Sequence, residues 1–322
     1  MLLNPLKMLP VSQAARKAVI FGFAATRRAI GGDVCPCCRS TCGRIIKRFR
    51  LVLAAKQCGE CGLTYRLPQK IVPRFYEEMY HAYSEWWSEY KSGQFKEYAK
   101  QVFRESHWDY YDKLSMITAV RPLKGRLLDF GGGSGLLARE CKQLGFDAEV
   151  FELCTQLRGI SNALLGLVTH NDLNTLLSTN EKDFDVVILH HVLEHIDDLP
   201  SAFQGFNRLL RDDGLFVLFV PNRLGKRYRG DPAATLDSVH VSAFDAEFFK
   251  NNMHRFGLDC VTFTTPYAFR ASGTYAEETR CALGTELAVF AWKTGSPTPE
   301  PLKQWPYSLP DLGDSWRAQG YC

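Results

Sequence analysis

The chain lacks the features that would place it within a membrane or in the class of small secreted proteins. No apolar run approaches the roughly 18 residues that a membrane-spanning helix needs. The cysteines number 11, an odd count, and six of them lie between Cys35 and Cys61, which is not the pattern of an evenly paired disulfide framework. We therefore expect a reducing, cytoplasmic setting in which the cysteine cluster holds a metal.

Acidic side chains are absent from residues 1–32, a segment that carries five Lys and Arg residues. Residues 11–30 can form a basic, partly amphipathic helix, and three interpretations stay open. The segment is an ordinary N-terminal helix or tail, a peripheral contact with an anionic membrane surface, or a targeting sequence. The net charge of the whole chain, +4, is mild and gives no strong indication of nucleic-acid binding.

The length of 322 residues and the 46% of apolar side chains allow one large domain and one small one. Tyr76, Tyr80 and Tyr83 belong to an aromatic-rich segment that either covers the active site as a lid or packs between helices. We divide the chain into a basic N-terminal segment (1–32), a zinc-ribbon-like module (33–68), a helical lid or linker (69–122), a catalytic domain (123–294) and a Pro-rich tail (295–322).

From residue 125 onward, short apolar runs alternate with helical patterns. This alternation predicts an α/β fold: a Rossmann-like, mostly parallel seven-stranded sheet with helices on both faces. Asp245 is expected to cap a helix over 245–256 that stops at Gly257. The predicted strands cover residues 126–130, 148–153, 167–170, 184–190, 215–220, 258–264 and 287–292, and the other predicted helices cover 134–144, 155–165 and 201–210.

Two C-x-x-C pairs stand at a separation typical of zinc sites. Each pair offers two thiolates from one tight turn, so the four together predict a closed, tetrahedral, structural zinc site. A closed site leaves no position for substrate, and we assign it to folding and docking. Cys37 and Cys42 offer an alternative pair of ligands. The predicted ligands are Cys35, Cys38, Cys58 and Cys61.

A glycine-rich loop follows the first strand of the predicted sheet and opens a helix, which lets backbone N–H groups approach a ligand closely. Leu136 occupies the place of the last glycine in a dinucleotide fingerprint, and Asp129 just before the loop would repel a pyrophosphate. That carboxylate suits a ligand with an ammonium group, and Glu152 ends the second strand, where a carboxylate meets a ribose. S-adenosylmethionine carries both groups. The loop glycines are Gly131, Gly133 and Gly135.

Four features of the sequence, taken in order, resemble the class I S-adenosylmethionine-dependent methyltransferases. They are residues 127–135, Glu152, residues 184–196 and residues 209–221. The resemblance covers roughly residues 120–293. The cysteine pairs followed by Tyr-rich helices are similar to a subgroup in which a zinc module precedes the methyltransferase domain. Some members of that subgroup methylate sugars or other small metabolites.

The resemblance implies a role for each cofactor residue. Asp129 and the glycine loop would hold the methionine end, and Glu152 would bind both ribose hydroxyls. Leu153 would pack on the adenine, Asp172 would face the adenine amine, and His190 would line the pocket beside the methionine. Asp172 as a helix cap and His190 as a core histidine are the alternatives.

The acceptor side offers two histidines as candidate catalytic residues. A general base is needed only when the nucleophile carries a proton, and ligands of such sheets sit at the carboxyl ends of the strands. His191 follows the fourth strand and His240 lies in the loop after the fifth; local hydrogen bonding is the alternative for both. His191-Val-Leu-Glu194-His195 also fits a metalloprotease pattern, H-x-x-E-H, which we set aside because it follows a buried strand directly.

Four cations in the loop after Pro221 either meet a phosphate on the acceptor or line a solvated loop. The leading hypothesis is a methyltransferase for a small-molecule acceptor, such as a sugar or glycan precursor. The alternatives are a methyltransferase for RNA or protein and a non-catalytic binding protein that retains the fold. The loop cations are Arg223, Lys226, Arg227 and Arg229.

Overall fold

The computed structural model describes residues 34–49, 53–69, 110, 113–114, 116–121, 124–225, 228, 231, 233–237, 239–265 and 286–303. The predicted basic helix at 11–30, the tyrosines Tyr76, Tyr80 and Tyr83, the cations Lys226, Arg227 and Arg229, and the tail beyond residue 303 lie outside these ranges. Within the described ranges, no helix has the length and apolar character needed to cross a membrane.

The described residues form eleven strands in two sheets. The strands are β1 (Gly43–Phe49), β2 (Leu53–Cys58), β3 (Thr64–Leu67), β4 (Arg126–Phe130), β5 (Asp147–Phe151), β6 (Val168–His170), β7 (Phe184–His190), β8 (Leu210–Pro221), β9 (Ser242–Ala243), β10 (Leu258–Thr265) and β11 (Glu286–Lys293).

The larger sheet has the seven strands that the alternation predicts, in the order β10-β11-β8-β7-β4-β5-β6. The five strands from β4 to β8 lie parallel to their neighbours, whereas β11 is antiparallel to both β8 and β10. The predicted mostly parallel α/β fold is therefore confirmed. The carboxyl ends of β4, β5, β7 and β8 meet at one edge, where the candidate site is built.

Alternating side chains place two cores on the two faces of this sheet. On β7, Val187 and Leu189 belong to one buried cluster, while Val186 and Ile188 belong to the other. Because both faces are covered, β7 is a nearly continuous apolar run, as expected for a parallel strand buried on both sides. The sheet is consequently a rigid platform for the loops at its carboxyl edge.

The described helices of more than one turn connect these strands. They are α1 (Leu136–Gln143), α2 (Thr155–Leu165), α3 (Leu173–Thr179), α4 (Leu199–Leu209) and α5 (Ala246–Asn252), with a short α6 (Glu300–Lys303) after the last strand.

The predicted helix over 245–256 consists of α5 followed by a 3-10 turn from Met253 to Phe256. Asp245 caps it as predicted, since its side chain accepts a hydrogen bond from the backbone N–H of Phe248 at 2.8 Å, and Gly257 ends it with φ 71°. By contrast, α3 was not predicted. It has only seven residues, and its capping residue is Asp172.

The cysteine segment forms the second sheet, in the antiparallel order β1-β2-β3-β9. Its fourth strand, β9, comes from the loop region between β8 and α5, so the two sequence segments share one sheet. Leu63 and Tyr65 are fully buried in the same cluster as Phe244 and Phe249. The cysteine module and the larger sheet thus have a continuous apolar core.

Candidate active site

The glycine loop after β4 is tightly packed at its start and open in its middle. Gly131, Gly133 and Gly135 have φ of 74°, 59° and 81°, a region that favours glycine. A Cβ on Gly131 would lie 2.6 Å from a methyl carbon of Val192, whereas a Cβ on Gly133 would meet nothing within 4 Å. The backbone around Gly133 is therefore accessible to a ligand at the carboxyl edge of the sheet.

Two buried carboxylates flank this opening. Glu152 accepts hydrogen bonds from the backbone N–H groups of Gly133 at 3.0 Å and Cys154 at 2.8 Å, and burial raises its pKa. Asp129 is 1% exposed, and its Oδ2 has no hydrogen-bond partner among the described residues. Burial, with a smaller contribution from the charge of Glu152, raises the pKa of Asp129 to about 7. An ammonium group is a suitable partner for such an orphaned carboxylate oxygen.

The other residues that the resemblance assigns to the cofactor have diverse surroundings. Leu153 is 71% exposed beside Glu152, which leaves an apolar surface for a flat ring. Asp172 caps α3 by accepting a hydrogen bond from the backbone N–H of Thr175 at 2.7 Å, and hydrogen bonds from the side chain and the backbone of Thr175 lower its pKa. His190 packs edge-on against Tyr110 at a ring distance of 5.7 Å. The structure thus brings Asp129, Glu152 and the loop together. Asp172 also has the structural role of a helix cap.

His191 is the centre of a buried polar cluster on the acceptor side. Its Nδ1 lies 3.2 Å from Glu194 Oε1 and its Nε2 lies 2.9 Å from Glu286 Oε1. The Nζ of Lys113 lies 3.1 Å from the other oxygen of Glu286, and both of these side chains are almost fully buried. Glu286 begins β11, one residue before the predicted strand, and therefore lies beside the carboxyl end of β8.

The charges of this cluster stabilise one another. Burial would lower the pKa of His191, but its bonds to Glu194 and Glu286 outweigh burial and raise that pKa to about 9. Burial would also raise the pKa of each carboxyl. For Glu194 the bond and charge of His191 lower it to about 2 instead, and for Glu286 the charge of Lys113 and the bond to His191 hold it well below its usual value. At neutral pH His191 is therefore an imidazolium between two carboxylates.

His240, the second predicted catalytic histidine, has a different environment. Its Nδ1 lies 3.0 Å from the carbonyl oxygen of Thr235, so Nδ1 donates its proton to the backbone and Nε2 is left for another partner. Nε2 lies 3.9 Å from Glu194 Oε1. Asp237 orders the loop by accepting hydrogen bonds from the backbone N–H groups of Val239 and His240. Of the two histidines, His240 is the one whose Nε2 makes no hydrogen bond within the described residues.

The H-x-x-E-H pattern does not form a protease site. His191 has φ 56° and precedes a three-residue 3-10 turn, Leu193–His195, so the two histidines do not share the face of an α-helix. The Nδ1 of His195 lies 3.1 Å from the carbonyl oxygen of Val239 instead.

Sequence reasoning missed Lys113 and Glu286 as members of the site and named Glu194 only as part of the H-x-x-E-H pattern. Glu286 is 95 residues from His191 along the chain, so no local spacing connects them. The one available signal is an acidic residue at the start of an otherwise apolar strand. Arg223, one of the four cations expected either to meet a phosphate or to line a solvated loop, forms an ion pair with Asp245 and is largely buried.

The predicted zinc ligands lie together. The sulfur atoms of Cys35, Cys38, Cys58 and Cys61 are all within 4.8 Å of one another, and Cys35–Cys61 and Cys38–Cys58 are each 3.5 Å apart. A tetrahedral site with Zn–S bonds of about 2.3 Å has sulfurs about 3.8 Å apart, so the donor set fits zinc. Cys37 and Cys42 lie outside this group.

Together, the parallel sheet, the open glycine loop and its two carboxylates define the class I methyltransferase fold. The model of a methyltransferase domain family matches residues 96–262, just over half of the chain, and the chain therefore belongs to this family.

The similar curated proteins are ubiquinone biosynthesis O-methyltransferases. The protein of Rickettsia bellii is 28% identical over 109 residues, which are 32% of this chain and 44% of that protein. The protein of Roseobacter denitrificans is 30% identical over 160 residues, 45% of this chain and 62% of that protein. The chain thus matches about half the length of these relatives.

Solved structures of methyltransferases are also similar. A possible histamine N-methyltransferase of Thermotoga maritima has a TM-score of 0.47 at 16% identity and covers 62% of this chain and 97% of its own. A methyltransferase of Archaeoglobus fulgidus has a TM-score of 0.44 at 18% identity and covers 59% of this chain and 94% of its own.

Proposed function

We propose that the protein transfers the methyl group of S-adenosylmethionine to a small-molecule acceptor. The observation that carries this proposal is the pair of buried carboxylates, Asp129 and Glu152, on either side of the open backbone at Gly133. Bound S-adenosylmethionine supplies a methyl group already activated by its sulfonium, so the protein contributes mainly alignment. Asp129 would receive the ammonium group, Glu152 the ribose hydroxyls and Leu153 the adenine, with His190 beside the methionine and Asp172 near the adenine amine.

We assign the general base to His240 rather than His191. Both ring nitrogens of His191 are bonded to carboxylates, and with a pKa of about 9 it is protonated at neutral pH. His240 keeps Nε2 available because its Nδ1 donates to the backbone. A base of this kind suits an acceptor with a hydroxyl proton to lose, and the curated relatives are named O-methyltransferases.

The finer identity of the acceptor is also a proposal. The resemblance to methyltransferases with a zinc module favours a hydroxyl on a sugar or glycan precursor over RNA or protein. The mild net charge of +4 supports this choice, since a protein that grips nucleic acid usually carries a basic surface. Mass spectrometry of small molecules and of RNA and protein digests, from cells with and without the gene, separates the alternatives.

The remaining assignments complete the proposal. They rest on the sequence. They are structural zinc at the four grouped cysteines, the five sequence segments with boundaries at 32, 68, 122 and 294, and a cytoplasmic setting. For residues 11–30, a peripheral membrane contact stays one of three interpretations, beside an ordinary N-terminal helix or tail and a targeting sequence. Zinc is also supported by the mutual proximity of the four sulfur atoms.

Cofactor binding is tested by changing the acidic anchors. We expect Glu152→Ala to weaken the binding of S-adenosylmethionine by at least about tenfold, because hydrogen bonds to a charged acceptor contribute about 1.5–3 kcal/mol each. Asp129→Asn should weaken it similarly. Glu149→Gln is the matched control, a buried carboxyl on β5 that pairs with Arg126 and His170. Titration calorimetry measures all three, and wild-type affinity in both anchor variants would refute the proposed function.

A further inference from the structure

A continuous series of charged groups lies beneath the acceptor side of the site. It runs from Lys113 to Glu286 at 3.1 Å, from Glu286 to His191 at 2.9 Å and from His191 to Glu194 at 3.2 Å. We call these four residues the buried charge chain. Its last member, Glu194, points its Oε1 at His240 Nε2 over 3.9 Å.

Placing the four residues of the buried charge chain in the protein interior costs free energy. Buried ion pairs are frequently no more stabilising than apolar side chains of similar volume, because each charge loses its hydration. His191 in addition has a left-handed φ of 56°, which for a residue other than glycine costs about 1–2 kcal/mol. Glu194 Oε2 is buried with no hydrogen-bond partner among the described residues. Stability alone does not account for this combination.

We propose that the buried charge chain is a positioning device for proton transfer at His240, in which Lys113 and Glu286 hold His191 so that Glu194 stays an ionised carboxylate facing Nε2. This inference rests on the proposed function. In the step it serves, the acceptor O–H bond breaks and its proton forms a bond to His240 Nε2. The oxygen electron pair forms the new bond to the methyl carbon, and the sulfonium sulfur keeps the electrons of the broken C–S bond.

The role of Glu194 follows from the charge that this step creates. His240 becomes a cation when it accepts the proton, and a carboxylate 3.9 Å away, itself almost fully buried, stabilises that cation. His191 holds Glu194 in place from the other side, and it can do so only while it is itself anchored. Glu286 and Lys113 supply that anchor, so their influence reaches His240 through two intermediate side chains.

Other titratable groups also face this cluster. His190 Nε2 lies 3.8 Å from Glu286 Oε1. Because burial lowers the pKa of His190, this residue adds no proton to the buried charge chain at neutral pH. The ring of His195 lies 4.7 Å from that of His240, and burial lowers its pKa too. Asp237 Oδ2 lies 3.5 Å from His240 Nδ1.

The test compares Glu286→Gln and Lys113→Met with Lys113→Arg, which keeps the charge. We expect the first two to lower kcat by about 10- to 100-fold, part of the 10²–10⁴ that general base catalysis contributes. The Kd for S-adenosylmethionine should stay within about threefold, because neither residue belongs to its site. Lys113→Arg should recover most of the activity. Imidazole ¹⁵N signals should show His191 doubly protonated at neutral pH in wild type but not in Glu286→Gln.

Glu149→Gln controls for the loss of a buried carboxyl, since the ion pairs of Glu149 lie outside the buried charge chain. Unchanged kcat in folded Glu286→Gln, or an equal loss of kcat in Glu149→Gln, would overturn the positioning role. A His191 ring that is neutral in wild type would overturn it without any activity measurement. Failure of the proposed function is distinct, because the wild-type protein itself would then not transfer the methyl group of S-adenosylmethionine to a small-molecule acceptor.

Discussion

His191 illustrates how one residue can look catalytic in sequence and still have another role. It follows β7 at the edge where ligands sit, yet both of its ring nitrogens are already bonded to carboxylates. Its left-handed backbone turns the chain so that the ring lies between Glu194 and Glu286 while its N–H donates to the carbonyl oxygen of Phe219 at 2.9 Å. The side chain is thus fixed rather than free to exchange protons with a substrate.

The pKa of His191 makes the stability of the protein depend on pH. Its folded value of about 9 exceeds the ordinary 6.5, so its contribution is fully present below pH 6.5 and is lost as the pH rises through 9. This shift corresponds to about 3 kcal/mol. Asparagine tolerates the left-handed backbone, so His191→Asn removes the imidazolium without adding backbone strain. The variant should therefore be less stable than wild type at pH 6 but nearly equal to it at pH 10.

Urea unfolding at pH 6, 8 and 10 measures this difference in free energy of unfolding. In wild type the pKa of Glu194 is lowered to about 2, chiefly by His191, so the contribution of Glu194 to wild-type stability is lost only in acid, as the pH falls through that value. A stability difference that stays constant from pH 6 to 10 would show that His191 is not held as an imidazolium.

At the scale of elements, strand β9 connects the cysteine module to the acceptor side of the site. Thr64 and Tyr65 of β3 pair with Ala243 and Ser242 of β9. The backbone N–H of Arg66 donates to the carbonyl oxygen of Val241 at 2.9 Å, and the N–H of Val241 donates to the carbonyl oxygen of Glu194 at 2.8 Å. His240 directly precedes this segment, so the cysteine module helps to fix its backbone.

Loss of the proposed zinc site should therefore affect catalysis more than cofactor binding. In Cys58→Ser we expect the amides of 241–243 to exchange faster with solvent, kcat to fall and the Kd for S-adenosylmethionine to change little. Hydrogen exchange, kinetics and calorimetry measure the three effects. Cys42→Ser is the control, because Cys42 is exposed and outside the group of four. Equal exchange at 241–243 in both variants would contradict the coupling.

The regular elements could be predicted because their signals are local. β4 and β7 are apolar runs whose limits agree with the prediction, and the Asp245 cap is visible from residue type and position alone. β9 has two residues, and only its pairing with β3 defines it. Glu286 acquires its role from partners brought near by the sheet. What the sequence could not reveal is therefore the set of contacts between distant segments.

At the scale of the whole molecule, the described part of the cysteine module is built into the catalytic domain. Asn252 of α5 donates a side-chain hydrogen bond to the carbonyl oxygen of Cys61 at 2.9 Å. The backbone N–H of Leu199 donates to the carbonyl oxygen of Pro36 at 3.1 Å. A division of the sequence at residue 68 thus separates segments that fold against each other.

Because the core is shared, the two segments should unfold together. Tyr65 is fully buried in the common cluster, and Tyr65→Ala should cost about 3–5 kcal/mol, as other large aromatic truncations do. We expect scanning calorimetry of the metal-loaded protein to show one transition, displaced as a whole to lower temperature by this change. Ile45→Ala, at a side chain that is 39% exposed, should leave it nearly unmoved. If Tyr65→Ala instead lowered only one of two separate transitions, the cysteine module would be an independent domain, and its pairing with β9 could not fix the backbone beside His240.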